Sequence, residues 1–98
     1  MSYTDLLAAD ARLCILKELA GQVDGRLNEK LLMFALDTFG IRRDRDWVRT
    51  QLLALDQLGG VNVSEAGTVM VASLTKLGRN HVERRAVISG AARPADED

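Results

Sequence analysis

The strongest constraint on the fold of this chain is a change of hydrophobic period at residue 61. Before that point, apolar residues recur at the spacing of amphipathic helices, whereas in VNVSEAGTVMVAS, residues 61–73, valines alternate with other residues as in strands. Glu65, Ala66 and Gly67 interrupt the alternation where a hairpin turn belongs. The sequence therefore predicts a two-stranded β-ribbon that follows a set of helices.

Capping residues and glycines give the bounds of four predicted helices. They are residues 4–20 with Thr4 as N-cap, 29–39 after Asn28, 45–58 after Asp44 and 76–89 after Thr75. Residues 22–27 are typical of a turn, and AARPADED, residues 91–98, is typical of a flexible acidic tail. We therefore expect one mainly α domain over residues 1–90, with a β-hairpin.

Composition excludes several classes of protein. No apolar run approaches the roughly 18 residues of a membrane helix, and the N-terminus has acids where a signal peptide is basic, so we expect a cytoplasmic protein and no membrane contact. One cysteine and one histidine exclude an internal disulfide and disfavour a protein-only metal site. Without a phosphate-binding loop, a nucleophile elbow or a reactive pair, we expect neither an enzyme nor a cofactor.

The order helix, helix, helix, β-hairpin, helix resembles the winged helix-turn-helix family. In more detail, RLNEKLL, RRDRDWVRTQLLALDQLGGV and LTKLGRNHVERRAVISG, with RP behind, resemble small proteins of Mu-like phages and prophages that are similar to arsenic-repressor-type regulators. The resemblance implies a transcriptional regulator or accessory factor in a bacterial host cell, with helix 3 in the DNA major groove. The paired cysteines and histidines of metal-sensing arsenic repressors are absent, so metal sensing does not carry over.

The start of helix 3 carries the residues that fit this role. Residues 42–88 have a net charge of +3 in a chain of net charge −1, which favours an anionic partner there. With Val48, Leu52 and Leu55 turned inward, the arginine-bearing end of the helix faces outward. The predicted contacts with double-stranded DNA are Arg42, Arg43 and Arg45 to phosphates, Arg49 and Thr50 to base edges, and Lys76 from helix 4.

Three acidic residues favour a different class of function. Asp44 and Asp46 lie among the arginines, and the predicted turn carries Glu65 without a basic residue. The arginines would then form surface ion pairs with Asp37, Asp44 and Asp46. The alternative hypothesis is a protein-interaction module, with a phage partner in packaging or morphogenesis and no specific DNA binding.

Helix 1 has a second apolar strip in addition to its core face. Either the rest of the chain covers this strip, or a homodimer does. The predicted dimer interface consists of Leu7, Ala11, Cys14 and Ile15, with Val82 and Ile88 from helix 4.

Single residues in the helices have structural interpretations. Gly78 inside helix 4 indicates close backbone packing, and His81 is expected to be a hydrogen-bonded core residue. Cys14 among leucines is expected to be a buried apolar residue, and Trp47 a packing anchor.

Overall fold

The computed structural model describes residues 2–95 of the chain. Within this range, four helices pack against a three-stranded antiparallel sheet, so the fold is α+β. The elements are α1 (Tyr3–Ala20), β1 (Arg26–Asn28), α2 (Glu29–Thr38), α3 (Arg45–Gln57), β2 (Val61–Ala66), β3 (Val69–Leu74) and α4 (Lys76–Val82).

Side-chain caps define where the helices begin. The predicted N-caps Asn28, Asp44 and Thr75 are confirmed, because each accepts a hydrogen bond from the backbone N–H three residues on. The prediction of Thr4 for the first helix is wrong. Ser2 is the N-cap, and its side chain and that of Asp5 form a reciprocal capping box.

The sheet contains one strand that the sequence did not predict. Residues 26–28, expected in part as a turn, pair antiparallel with β3, with Leu27 opposite Ala72. The strand order is β1-β3-β2, so β3 is central. A strand of three residues is too short to show an alternating pattern, which explains why it was missed.

The predicted hairpin is confirmed, with its turn placed later than expected. β2 pairs with β3 from Val61 opposite Leu74 to Ala66 opposite Val69, so only Gly67 and Thr68 form the turn. Gly67 has φ 63°, the left-handed conformation that two-residue hairpin turns require. Glu65 therefore lies in β2 and not in the turn.

The core lies between α1, α2, α3 and the sheet. The predicted inward line of α3 is confirmed, because Val48, Leu52 and Leu55 are all buried. The close approach predicted for Gly78 is also confirmed. A Cβ atom on Gly78 would lie 2.2 Å from the backbone oxygen of Gly60, so α4 is in backbone contact with the turn that joins α3 to β2.

α4 is shorter than predicted, and hydrogen bonds to His81 hold the chain that follows it. The helix ends at Val82, and Arg84 adopts φ 63°. The backbone N–H of Ile88 donates to Nδ1 of buried His81 at 2.9 Å, and Nε2 donates to the carbonyl of Ala92 at 2.8 Å. The predicted hydrogen-bonded core histidine is thus confirmed.

The segment after residue 90 was predicted to be a flexible tail. In its described part, residues 91–95, the N–H of Ala92 donates to the carbonyl of Ala9 in α1 at 3.0 Å, and Ala91 packs against the core. These contacts tie the start of the segment to the domain. Residues 96–98 lie outside the described residues.

α1 packs its second apolar strip largely against its own chain. Ala11 and Ile15 are fully buried, and Ile88 is nearly so. The prediction that these three residues contact a second copy is therefore wrong. The other predicted interface residues, Leu7, Cys14 and Val82, are half-buried. α1 has 18 residues, but no described helix is apolar and long enough to cross a bilayer.

Candidate nucleic-acid interface

The outward end of α3 is built by a short connection and a capped helix start. Asp44 accepts a hydrogen bond from the N–H of Trp47 at 2.8 Å, and Trp47 packs against the core as the predicted anchor. The first N–H groups of a helix have no partner within the helix, and this end of a helix attracts anions. Asp46, Thr50 and Leu53 lie on the exposed side of α3.

Arg42, Arg43 and Arg45 are exposed at this end, and each has a neighbour within the chain. Nε of Arg42 lies 3.1 Å from Oδ1 of Asp37, a pair expected under the alternative hypothesis of a protein-interaction module. The guanidinium of Arg43 lies 5.8 Å from the centroid of the Trp47 ring. Because the Arg42 pair is exposed to water, it contributes little to stability and leaves the arginine able to exchange partners.

Arg49 has a different environment from the other arginines. Its Nε and Nη2 atoms donate to the two carboxylate oxygens of Glu29 at 2.7 and 2.8 Å, and Nη2 also donates to the carbonyl of Thr68 at 2.9 Å. A guanidinium held by three hydrogen bonds is not available to read a base edge. The predicted base-reading role of Arg49 is therefore replaced by a structural one.

Glu29 is the central residue of this network and is fully buried. The hydrogen bond from Arg49 and, to a smaller extent, that from the N–H of Met70 together lower its pKa to about 2, against the opposing effect of burial. Oε2 accepts from the Met70 N–H at 2.6 Å, and Nε of Arg45 lies 3.7 Å from Oε1. The carboxylate thus joins α2, α3 and the hairpin.

This network was not predicted from the sequence. Glu29 directly follows the N-cap Asn28, and an acid in the first turn of a helix is favourable without any buried partner. Arg49 lies 20 residues further on, with no pattern that links the two positions. Only the packing of α2 against α3 and β3 places the carboxylate beside the guanidinium.

The remaining predicted contacts lie at different places. Thr50 is exposed on α3, and its hydroxyl donates to the carbonyl of Asp46 at 2.9 Å. Lys76 follows Thr75, whose hydroxyl donates to the carbonyl of Gly59 beyond the C-terminal end of α3. Since α3 has 13 residues and rises about 1.5 Å per residue, the structure places Lys76 at the end opposite to Arg42 and Arg43.

The half-buried Cys14 lies away from this interface, in a groove along α1. Burial raises the pKa of its thiol, and the nearby carboxylate of Asp10 raises it further. The thiol is therefore held in its neutral form, in agreement with the apolar role that was predicted.

Comparison with known proteins places the chain among phage proteins. No family model and no solved structure matches it, so the likeness to arsenic-repressor regulators stays a prediction. The chain is 36% identical over 90 residues to gp26, an uncharacterised protein of Escherichia phage Mu. The match covers 92% of this chain and 93% of gp26. The expected similarity to a Mu phage protein is confirmed, and the chain belongs to the family of phage Mu gp26.

Proposed function

We propose that this chain is a winged-helix protein that binds duplex DNA with the N-terminal end of α3, as a phage or prophage transcriptional regulator or accessory factor. The observation that carries the proposal is the position of the β2–β3 hairpin beside α3. Arg49 and Glu29 tie the backbone of the turn at Thr68 and of Met70 to the helix. A helix that presents its N-terminus next to a fixed hairpin is the arrangement of a wing and a recognition helix.

The chemistry of the exposed helix end supports the same proposal. The first-turn N–H groups that Asp44 does not cap and the positive end of the helix dipole favour a phosphate there. Arg42, Arg43 and Arg45 add guanidinium groups at the same end. Thr50, on the exposed face one turn further on, is the remaining candidate for a base contact.

A matched pair of double variants tests the proposal. Arg42→Ala/Arg43→Ala removes two charges at the N-terminal end of α3, and Lys76→Ala/Arg79→Ala removes two near its other end. In fluorescence anisotropy titrations with a labelled duplex, we expect the first variant to bind about tenfold more weakly at low salt, with a smaller salt dependence because about two phosphate contacts are lost. The second should bind within about twofold of wild type.

Equal losses in the two variants would mean a general charge effect and would contradict binding through α3. A wild-type protein without affinity for any duplex at low salt would contradict the proposal as a whole. Circular dichroism of both variants, each altered at exposed side chains only, controls for folding.

A second candidate function, contact with another phage protein, is favoured by a specific observation. Leu31 and Phe34, one turn apart on α2, are 51% and 71% exposed. In addition, Arg42 pairs with Asp37 and Arg49 with Glu29. Exposed apolar side chains of this size are typical of protein contacts. This candidate predicts that Phe34→Ser abolishes recovery of a partner from lysogenic cells without changing any affinity for DNA.

A further inference from the structure

One side of α1 faces away from the core, and we name it the outer face of α1. Successive residues of a helix turn by about 100°, so residues 3, 6, 7, 10, 13, 14 and 17 lie within one arc of about 120°. Tyr3 and Leu6 are 75% and 55% exposed, and Leu7 and Cys14 are half-buried. A helix side with this many accessible apolar groups lacks a partner within the described residues.

A groove runs along this face. It has a volume of about 430 Å³, and its lining includes Leu13 and Cys14 of α1, Phe39 at the C-cap of α2 and Arg93 of the C-terminal segment. Phe39 is 60% exposed. Phe39 is therefore, after Tyr3, a second accessible aromatic side chain beside the outer face, and together they extend its apolar surface.

The outer face also carries two charged residues whose side chains have no hydrogen bond or ion pair among residues 2–95. Asp10 and Lys17 are exposed, lie seven positions apart on α1 and both line the groove. The midpoint between them falls between Leu13 and Cys14. Opposite charges at equal distances from one point make the face complementary to itself when it is rotated about that point.

We propose that a second copy of this chain docks on the outer face of α1, with the two α1 helices antiparallel across a twofold axis between Leu13 and Cys14. This arrangement brings Asp10 of each copy to Lys17 of the other, so that two ion pairs flank an apolar centre. A parallel arrangement would place Asp10 against Asp10 and Lys17 against Lys17. The charges therefore select the antiparallel dimer, whether or not the protein binds DNA.

A charge-swap series measured without DNA tests the dimer. We expect wild type to sediment as a dimer at micromolar concentration, and Asp10→Lys and Lys17→Asp each to weaken the dimer at least about tenfold, because like charges then meet twice. Asp10→Lys/Lys17→Asp restores both pairs and should return the dissociation constant to within about threefold of wild type. Circular dichroism controls the fold, since both positions are exposed.

Cross-linking gives a second measurement, because Cys14 is the single cysteine of the chain. A short bis-maleimide should convert wild type into a covalent dimer, and Asp10→Lys should stay monomeric. A monomeric wild type at all concentrations, a dimer insensitive to the reversals, or a swap variant no tighter than the single reversals would each overturn the inference. Loss of DNA binding alone would contradict the proposed function and leave this dimer in place.

Discussion

Replacement of Glu29 by glutamine is expected to lower the free energy of unfolding by about 2 to 3 kcal/mol at pH 7. The carboxylate is fully buried and accepts hydrogen bonds from Arg49 and from the N–H of Met70. Glutamine keeps the shape, but it removes the negative charge and turns one acceptor into a donor. The guanidinium of Arg49 then loses its counter-charge, and one buried polar contact becomes repulsive.

Urea denaturation of wild type and Glu29→Gln measures this loss. Glu83→Gln is the matched control, since Glu83 pairs with Arg85 at 3.4 Å on the surface and should change stability by less than about 1 kcal/mol. Equal effects of the two substitutions would contradict the structural role of the buried pair.

The same pair predicts how stability depends on pH. The pKa of Glu29 falls from 4.5 to about 2 on folding, so the folded state favours the ionised form. A depressed pKa contributes stability that is fully present above pH 4.5 and is lost as the pH falls towards 2. The stability difference between wild type and Glu29→Gln should therefore be constant above about pH 5 and shrink below pH 4.5.

Replacement of Gly78 by alanine is expected to destabilise the protein by about 2 to 3 kcal/mol, although alanine favours helices by about 1 kcal/mol. The new Cβ atom would lie 2.2 Å from the backbone oxygen of Gly60 and 2.7 Å from Cδ1 of Leu74. The backbone at Gly60 cannot rotate away as a side chain would. α4 must therefore shift away from the turn that joins α3 to β2.

Thermal and urea denaturation of Gly78→Ala measure this effect. Gly21→Ala is the matched control because Gly21 has φ −80°, and its Cβ would make only ordinary contacts, the nearest at 3.6 Å. We expect the control to keep or slightly raise stability. A Gly78→Ala variant as stable as wild type would show that α4 is not in backbone contact with the turn at Gly60.

Local sequence signals predicted most of the fold. Polar caps such as Asn28 and Asp44 gave helix starts because they satisfy backbone donors three residues away. The alternation of valines predicted the hairpin, and Gly78 in a helix indicated a close backbone contact, whose partner in the structure is Gly60. Each of these signals depends on residues close together in the chain or on the type of one residue, so it can be read from the sequence.

Such local signals did not predict the contacts between elements far apart in the chain. The pairing of β1 with β3 and the ion pair between Glu29 and Arg49 depend on packing between elements far apart in the chain. The role of Arg49 changed for the same reason. From the sequence, an arginine at the edge of α3 could bind either a ligand or a buried acid, and only the position of α2 shows that it binds Glu29. α4 ends at Val82, earlier than predicted, and the chain beyond it is held by a contact that local signals do not show, the hydrogen bond from the N–H of Ile88 to His81.

Above all, we propose that the N-terminal end of α3 binds duplex DNA. An NMR titration of ¹⁵N-labelled protein with a short duplex tests it most directly, because each backbone amide reports its own surroundings. We predict chemical-shift changes concentrated in residues 42–50 and in the turn at Gly67 and Thr68. Changes confined to α2 around Leu31 and Phe34, or no changes at saturating duplex, would contradict it.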